Sequence, residues 1–183
     1  NNTLIGHGSG AIMTTGAGNV MIGTNAGDAT LDSSNHVLIG AGAGGNGDIN
    51  PDGAVGIGYV ALHALTTGVG NVAIGFQALQ GHTTGDRNTA LGYGAMDGTA
   101  ANDCPTSIDN IFMGYDAGGG TWTTNDCNYN VGIGNYVMDA AMNDAVSNTA
   151  VGHTSLGSLT TGDNNVAVGA WAADVVTTGS SNI

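Results

Sequence analysis

The chain has 183 residues, of which 34 are glycine and 41% are hydrophobic, and it carries a formal net charge of −13 with Arg87 as its single cation. One arginine cannot neutralise a row of phosphates, so the composition excludes nucleic-acid binding, and an anionic membrane surface would repel the chain. No apolar run approaches the roughly 20 residues of a membrane-spanning helix, so we expect no membrane insertion.

A five-residue segment ending in glycine, such as residues 71–75, recurs ten times along the chain. Successive glycines of this segment are 17, 17, 18, 17, 17, 22, 20, 18 and 17 residues apart, so the period is 17 with two insertions. We call this glycine the anchor and number positions relative to it. The ten anchors are Gly6, Gly23, Gly40, Gly58, Gly75, Gly92, Gly114, Gly134, Gly152 and Gly169.

This repeat predicts an all-β fold, a parallel β-solenoid (a β-roll or β-helix) of ten rungs of about 17 residues. Residues 1–183 then form a single domain, with insertions near 97–109 and 119–129. Because the chain begins with Asn rather than Met, we expect a piece of a longer protein.

Two columns of the repeat are constant in chemistry. Position −1 always holds a large aliphatic residue and position −3 a β-branched one, from Thr3 and Ile5 to Val166 and Val168. Because residues two apart share a face of a strand, we expect these columns to form the buried side. Leucine, methionine and phenylalanine recur at positions −2 and +4, and we expect that surplus apolar surface to drive lateral association, most plausibly as a trimer.

Asparagine occupies position −4 in eight of the ten repeats, with His36 and Ala54 as the exceptions. Identical amides at rung spacing can hydrogen-bond along the axis, so we predict a structural asparagine ladder. Its members are Asn2, Asn19, Asn71, Asn88, Asn110, Asn130, Asn148 and Asn165.

An aromatic residue follows the anchor in four successive repeats: Tyr59, Phe76, Tyr93 and Tyr115. Such a row of rings suits either stacking of sugar rings from a glycan receptor or a packed spine at a subunit interface. We favour the structural interpretation. Trp122, in the second insertion, is a further candidate contact.

The two cysteines lie in the two insertions. Cys104 is 12 residues after its anchor and Cys127 is 13 after its own. Adjacent rungs bring equivalent positions to about 5 Å, within the range of a disulfide, so we predict a Cys104–Cys127 bond and an extracellular setting. The alternative is a pair of free thiols in surface loops.

The sequence indicates no cofactor, metal or enzymatic site. No arrangement of Ser, His and Asp recurs, and no paired carboxylates lie in an apolar setting. The acidic residues Asp103, Asp109, Asp116 and Asp126 could gather Ca²⁺ near the insertions, although solvated acidic loops are the more common explanation. A glycine-rich stretch at 44–48 resembles the start of a calcium-binding repeat but lacks its next aspartate.

Residues 71–79 and 165–169 resemble the head repeats of trimeric autotransporter adhesins. Residues 88–96, which follow Thr-Thr-Gly at 83–85, are also similar to the repeats of bacteriophage tail-fibre proteins. The resemblance implies a trimeric β-roll on a virion or cell surface that is used for attachment to a glycan or protein receptor. The period departs from that of adhesin heads, which is commonly about 14.

We therefore expect a structural and adhesive extracellular fibre segment without catalysis. One alternative is a homopolymeric filament stacked head to tail, because Asn2 and Asn182 occupy the same phase of the repeat. Another is an ice- or mineral-surface binder, suggested by the Thr-Thr-Gly sequence that five copies contain.

Overall fold

The computed structural model describes residues 1–50, 52–99, 106–123 and 125–183, and in these residues the regular elements are ten three-residue strands. Each strand covers positions −3 to −1 and ends immediately before an anchor. No helix of the described chain is long and apolar enough to cross a membrane. The strands are β1 (Thr3–Ile5), β2 (Val20–Ile22), β3 (Val37–Ile39), β4 (Val55–Ile57), β5 (Val72–Ile74), β6 (Thr89–Leu91), β7 (Ile111–Met113), β8 (Val131–Ile133), β9 (Thr149–Val151) and β10 (Val166–Val168).

All ten strands belong to one parallel sheet whose order follows the chain from β1 to β10. Equivalent positions of successive repeats pair directly, as Val72 does with Thr89 and Ile74 with Leu91. The register survives the first insertion, since Thr89 still pairs with Ile111. The prediction of an all-β parallel β-solenoid is confirmed.

The anchor must be glycine for two reasons. Its φ lies between +130° and +144° in all ten rungs, a region that side chains with a Cβ rarely enter. In addition, a Cβ on Gly75 would collide with the backbone carbonyl of Gly92 in the next rung. The chain therefore turns sharply after each strand while the rungs remain in close contact.

The predicted buried face is wrong. In each strand from β2 to β10 the middle residue, at position −2, is buried, whereas positions −3 and −1 are half-buried or exposed. Met21, Leu38 and Phe112, which we had placed on an associating surface, point into the solenoid and are fully buried. The constant aliphatic columns thus form the outer face of the sheet.

The interior is filled by size matching between positions −2 and +4 of the same rung. Where Met21 stands at −2, position +4 is Gly27, and a Cβ there would lie 2.6 Å from the methionine Sδ. Where position −2 is Ala73, position +4 is the fully buried Leu79. The large member is at −2 in rungs 1, 2, 3 and 7 and at +4 in rungs 4, 5, 6, 8 and 9. Each of the first nine rungs therefore has one large side chain at these two positions, whereas the tenth has alanine at both.

Candidate functional site

The asparagines at position −4 form a hydrogen-bonded column inside the solenoid, which is interrupted only at Ala54 among the described rungs. Asn88 donates from its backbone N to Oδ1 of Asn71 (2.9 Å) and from Nδ2 to the carbonyl of Ser107 (2.8 Å). Its own Oδ1 accepts from the backbone N (3.1 Å) and Nδ2 (3.0 Å) of Asn110. The Asn88 amide therefore ties its rung to both neighbours, whereas the Asn71 amide, which follows Ala54, bonds to the next rung.

The same pattern holds at His36, which replaces an asparagine, and at the last rung. His36 donates its backbone N to Oδ1 of Asn19 (2.9 Å) and accepts from the N of Ala54 at Nδ1 (3.1 Å). Asn182 donates its N (3.0 Å) and Nδ2 (2.7 Å) to Oδ1 of Asn165. The interior members of the column are fully buried, so it stabilises the fold and offers nothing to a ligand.

His82 adjoins this column in the interior. Its Nε2 lies 3.1 Å from Nδ2 of Asn88, a geometry in which the neutral imidazole accepts the amide proton. Burial lowers the pKa of His82 to about 4. The folded protein therefore keeps this imidazole neutral near pH 7.

Outside the sheet, the aromatic residues that follow the anchors form a ladder of stacked rings. Ring centroids are 5.1 Å apart for Tyr59 and Phe76, 4.7 Å for Phe76 and Tyr93, and 5.2 Å for Tyr93 and Tyr115. The ring planes lie within 20° of one another. These four side chains remain 38% to 51% exposed, so the ladder lies on the surface.

The ladder continues beyond the four rings that the sequence indicated. Tyr136 packs edge-on against Tyr115 at 5.2 Å, His153 follows at 5.9 Å, and Trp171 packs on His153 at 5.1 Å. Tyr136 and Trp171 stand at position +2 rather than +1, so a search of one column missed them. A search of both columns for rings at rung spacing would have found all seven.

Stacking determines which ring surfaces a ligand can reach. Phe76 and Tyr93 each have both faces against neighbouring rings, so they present only their edges to solvent. Tyr59 is covered by Phe76 on one face only. Within the stacked part of the ladder, a sugar can stack on the free face at its Tyr59 end but not on Phe76 or Tyr93.

Trp122 is not a surface contact, and that prediction is wrong. The side chain is fully buried and packs edge-on against the Phe112 ring, with centroids 5.8 Å apart and planes at 66°. It fills the interior beside the second insertion. Cys127 is also buried, while Cys104 lies outside the described residues, so their disulfide stays a prediction.

The acidic residues of the insertions do not converge on one site. Asp109 pairs with Arg87, which donates from Nε at 2.7 Å and Nη2 at 2.9 Å, and Asp126 accepts from Thr106. Asp103 lies outside the described residues. Among all the described residues, no group of three His, Cys, Asp or Glu side chains is arranged to hold a metal ion.

Asp116 instead interacts with two aspartates of the neighbouring rungs, Asp97 and Asp139. Burial raises the pKa of both neighbours to about 6, and the negative charge of Asp116 raises them further. These carboxyl groups therefore carry part of their protons in mildly acidic solution. Asp97, Asp116 and Asp139 therefore form a cluster of mutually repelling carboxyl groups on an already acidic chain.

The threonine rows are engaged within the solenoid. The hydroxyls of Thr66 and Thr160 each donate to the backbone carbonyl of the next rung, at Thr83 and Thr177, with a distance of 3.0 Å in both pairs. Their regular spacing is therefore explained by hydrogen bonding between rungs.

The outer face of the sheet presents an apolar surface. None of the twenty residues at positions −3 and −1 is charged. Ile5 is 57% exposed and Val168 71% exposed, and the members between them are half-buried or exposed. We call these two columns the aliphatic face.

Comparison with protein-family models, with curated proteins and with solved structures finds no match to this chain. The fold itself defines the class of this protein as a parallel β-solenoid with an exposed aliphatic face and an exposed aromatic ladder.

Proposed function

We propose that this chain is a structural and adhesive segment of an extracellular fibre, and that copies associate side by side through the aliphatic face. The observation that carries the proposal is an uncharged apolar sheet face that extends over all ten strands of an otherwise acidic chain. The extracellular location follows from the predicted Cys104–Cys127 disulfide.

The size of the aliphatic face sets the strength of this association. Ten strands at about 4.8 Å and three residues at about 3.3 Å give a face of roughly 48 by 10 Å, or about 500 Å² per copy. Two copies would bury on the order of 1,000 Å², which is the lower limit for a specific interface. We therefore expect association that depends on protein concentration.

Charge supports contact through this face rather than another. The chain has a formal net charge of −13, so two copies repel each other, and the repulsion is smallest where no charged side chain intervenes. A pair of copies buries the whole face, whereas a trimer divides it between two neighbours. A pair therefore buries more of the aliphatic face in one contact, and a trimer remains the expectation that the family resemblance gives.

Sedimentation velocity at increasing protein concentration tests the proposal. We expect the wild-type chain to shift towards a dimer or trimer, and the variant Ile57→Glu/Ile74→Glu to remain monomeric, because it places two carboxylates on the aliphatic face. A matched control is Ile12→Glu/Val175→Glu, which adds the same charge at exposed positions outside the strands. The control should associate like the wild type.

Two results would contradict the proposal. One is a wild-type chain that stays monomeric at every concentration. The other is equal association of the two double-glutamate variants, which would show that the interface does not involve the aliphatic face. Circular dichroism of each variant establishes that it is folded.

An end-to-end filament is the second candidate function. It is favoured by the two outer strands of the described sheet, β1 and β10, each of which pairs on one side only. Open edges of this kind template further pairing. Electron microscopy distinguishes the two arrangements, since filaments would show an axial repeat near 48 Å, ten rungs at about 4.8 Å each.

A further inference from the structure

The aromatic ladder stops abruptly at Tyr59. The two preceding rungs carry Ala41 and Thr24 at the equivalent position, so no ring covers the second face of Tyr59. Because the ladder runs along the axis of the solenoid, that free face points towards the rungs of Ala41 and Thr24.

A hollow of about 250 Å³ lies at this end of the ladder, between the rungs of Thr24 and Tyr59. Two glycines help to keep it open. A Cβ on Gly42 would lie 3.0 Å from Cγ1 of Val60, and one on Gly45 would lie 2.9 Å from the backbone oxygen of Asn25. The hollow is smaller than the pockets of drug-sized ligands, so it suits a single small ring.

The rim of the hollow is polar. Asp28, His63 and Thr24 line it together with Tyr59. Oδ1 of Asp28 is buried and has no hydrogen-bond partner in the described chain. That oxygen therefore lacks the hydrogen bond that a buried polar atom usually makes, while the rest of the Asp28 side chain lines the hollow.

We propose that this hollow binds a single pyranose ring of a neutral glycan, an inference that rests on the adhesive function proposed above. The apolar face of the sugar would stack on the free face of Tyr59, and its hydroxyls would donate to the Asp28 carboxylate. A carboxylate accepts several hydrogen bonds at once and strengthens each of them.

The negative charge at the hollow and the small number of aromatic side chains that line it favour a neutral sugar over other small cyclic ligands. Asp28 and the acidic chain repel anions, which excludes phosphates and acidic sugars. A quaternary ammonium ligand is bound by a cage of several aromatic faces, whereas this hollow offers one large aromatic ring, Tyr59, with the smaller imidazole of His63 at its rim. One aromatic platform with polar groups at the rim matches a neutral sugar best.

Titration of the isotope-labelled chain with the methyl glycosides of glucose, galactose, mannose and N-acetylglucosamine tests the proposal by NMR. With at least one of them we expect saturable shifts of the amide signals of Thr24, Gly42 and Gly45. One ring with few contacts predicts a Kd of about 1 mM.

Three variants separate this site from the rest of the ladder. Tyr59→Ala removes the platform and should abolish the shifts. Tyr93→Ala is its matched control, the same residue type in the same column with similar exposure (48% against 51%), and should bind like the wild type. Asp28→Asn keeps the shape and should weaken binding roughly tenfold, the loss of one charge-assisted hydrogen bond.

Ala41→Tyr is the most informative variant because it extends the ladder into the hollow. The new ring would stack on Tyr59, so the variant should melt no lower than the wild type and yet bind no glycoside. Equal binding by Ala41→Tyr and the wild type would overturn the proposal, as would the absence of saturable shifts with all four glycosides. Sedimentation reports on the fibre proposal separately, since the aliphatic face is not altered.

Discussion

The two ladders of this solenoid repeat a side chain at the same rung spacing but in opposite environments. The asparagine ladder is buried, and an interior amide such as Asn88 bonds to the rungs above and below it. The aromatic ladder is on the surface, and its members range from tyrosine to histidine and tryptophan. Burial explains why the inner ladder largely keeps one residue type and the outer ladder does not. A buried polar group needs a hydrogen-bond partner, whereas a surface position without a ring is simply solvated.

Energetics sharpen this contrast. An unsatisfied buried polar group costs about 1–3 kcal/mol, and each inner amide serves several partners. A stacked aromatic pair contributes about 0.5–1.5 kcal/mol beyond its buried area. Stability should therefore depend on the inner ladder, while the outer one is available for contacts.

The largest effect is expected for Asn88→Asp. The carboxylate cannot donate to the carbonyl of Ser107 or to Nε2 of His82, and it brings a buried charge next to Oδ1 of Asn71. We expect the free energy of unfolding to fall by about 4 kcal/mol, measured by urea denaturation. The exposed Asn46→Asp is the control, and a similar loss there would remove the distinction between the ladders.

The size-matched interior next to the amide ladder gives the second test. Met21→Ala should cost about 3 kcal/mol because it leaves a cavity, and Gly27→Leu should also destabilise because Sδ of Met21 occupies the space. The double variant moves the large side chain to position +4, as in the rung of Ala73 and Leu79. It should recover at least half of the loss; strictly additive losses would show that the two positions do not compensate.

His82 makes the stability of the inner ladder depend on pH. Its folded pKa of about 4 lies below the ordinary value of 6.5, so the contribution is complete above pH 6.5 and is lost as the pH falls towards 4. The loss between pH 7 and pH 4 amounts to about 3 kcal/mol. His82→Gln should flatten this part of the stability profile, measured by thermal melts between pH 4 and 7. An unchanged slope would contradict the assignment.

The smallest effect is expected on the outer ladder. Tyr93→Ala removes two stacking contacts at the surface, so the free energy of unfolding should fall by only about 1 kcal/mol. Urea denaturation of Tyr93→Ala and Asn88→Asp under the same conditions compares the two losses of stability. If Tyr93→Ala lowered the free energy of unfolding as much as Asn88→Asp, the aromatic ladder would be as important for stability as the asparagine ladder, contrary to this prediction.

The sequence predicted the architecture because its period and its strand columns are regular. Each strand begins at position −3 and ends at −1, as the aliphatic columns indicated, and the insertions leave the pairing in register. What the sequence misjudged was the direction of the side chains. Constancy was taken as a sign of burial, but the interior tolerates variation at −2 because +4 compensates, as Phe112 and Gly118 show.

The surface features were harder to predict for a related reason. Trp122 lies in an irregular insertion, where the repeat gives no indication of depth, and it proved to be buried. The last three rings of the ladder alternate between positions +1 and +2, so a single column did not reveal them. The hollow beside Tyr59 depends on small residues from two other rungs, a combination that only the stacked structure brings together.

The most direct test of the inverted face uses two adjacent residues of β5. Ala73→Asp places a carboxylate inside the solenoid, and Ile74→Asp places the same carboxylate on the aliphatic face. Thermal melts followed by circular dichroism should show a loss of cooperative folding, or a markedly lower Tm, for Ala73→Asp and a nearly unchanged Tm for Ile74→Asp. The reverse order would contradict the account, because it would return the aliphatic columns to the interior.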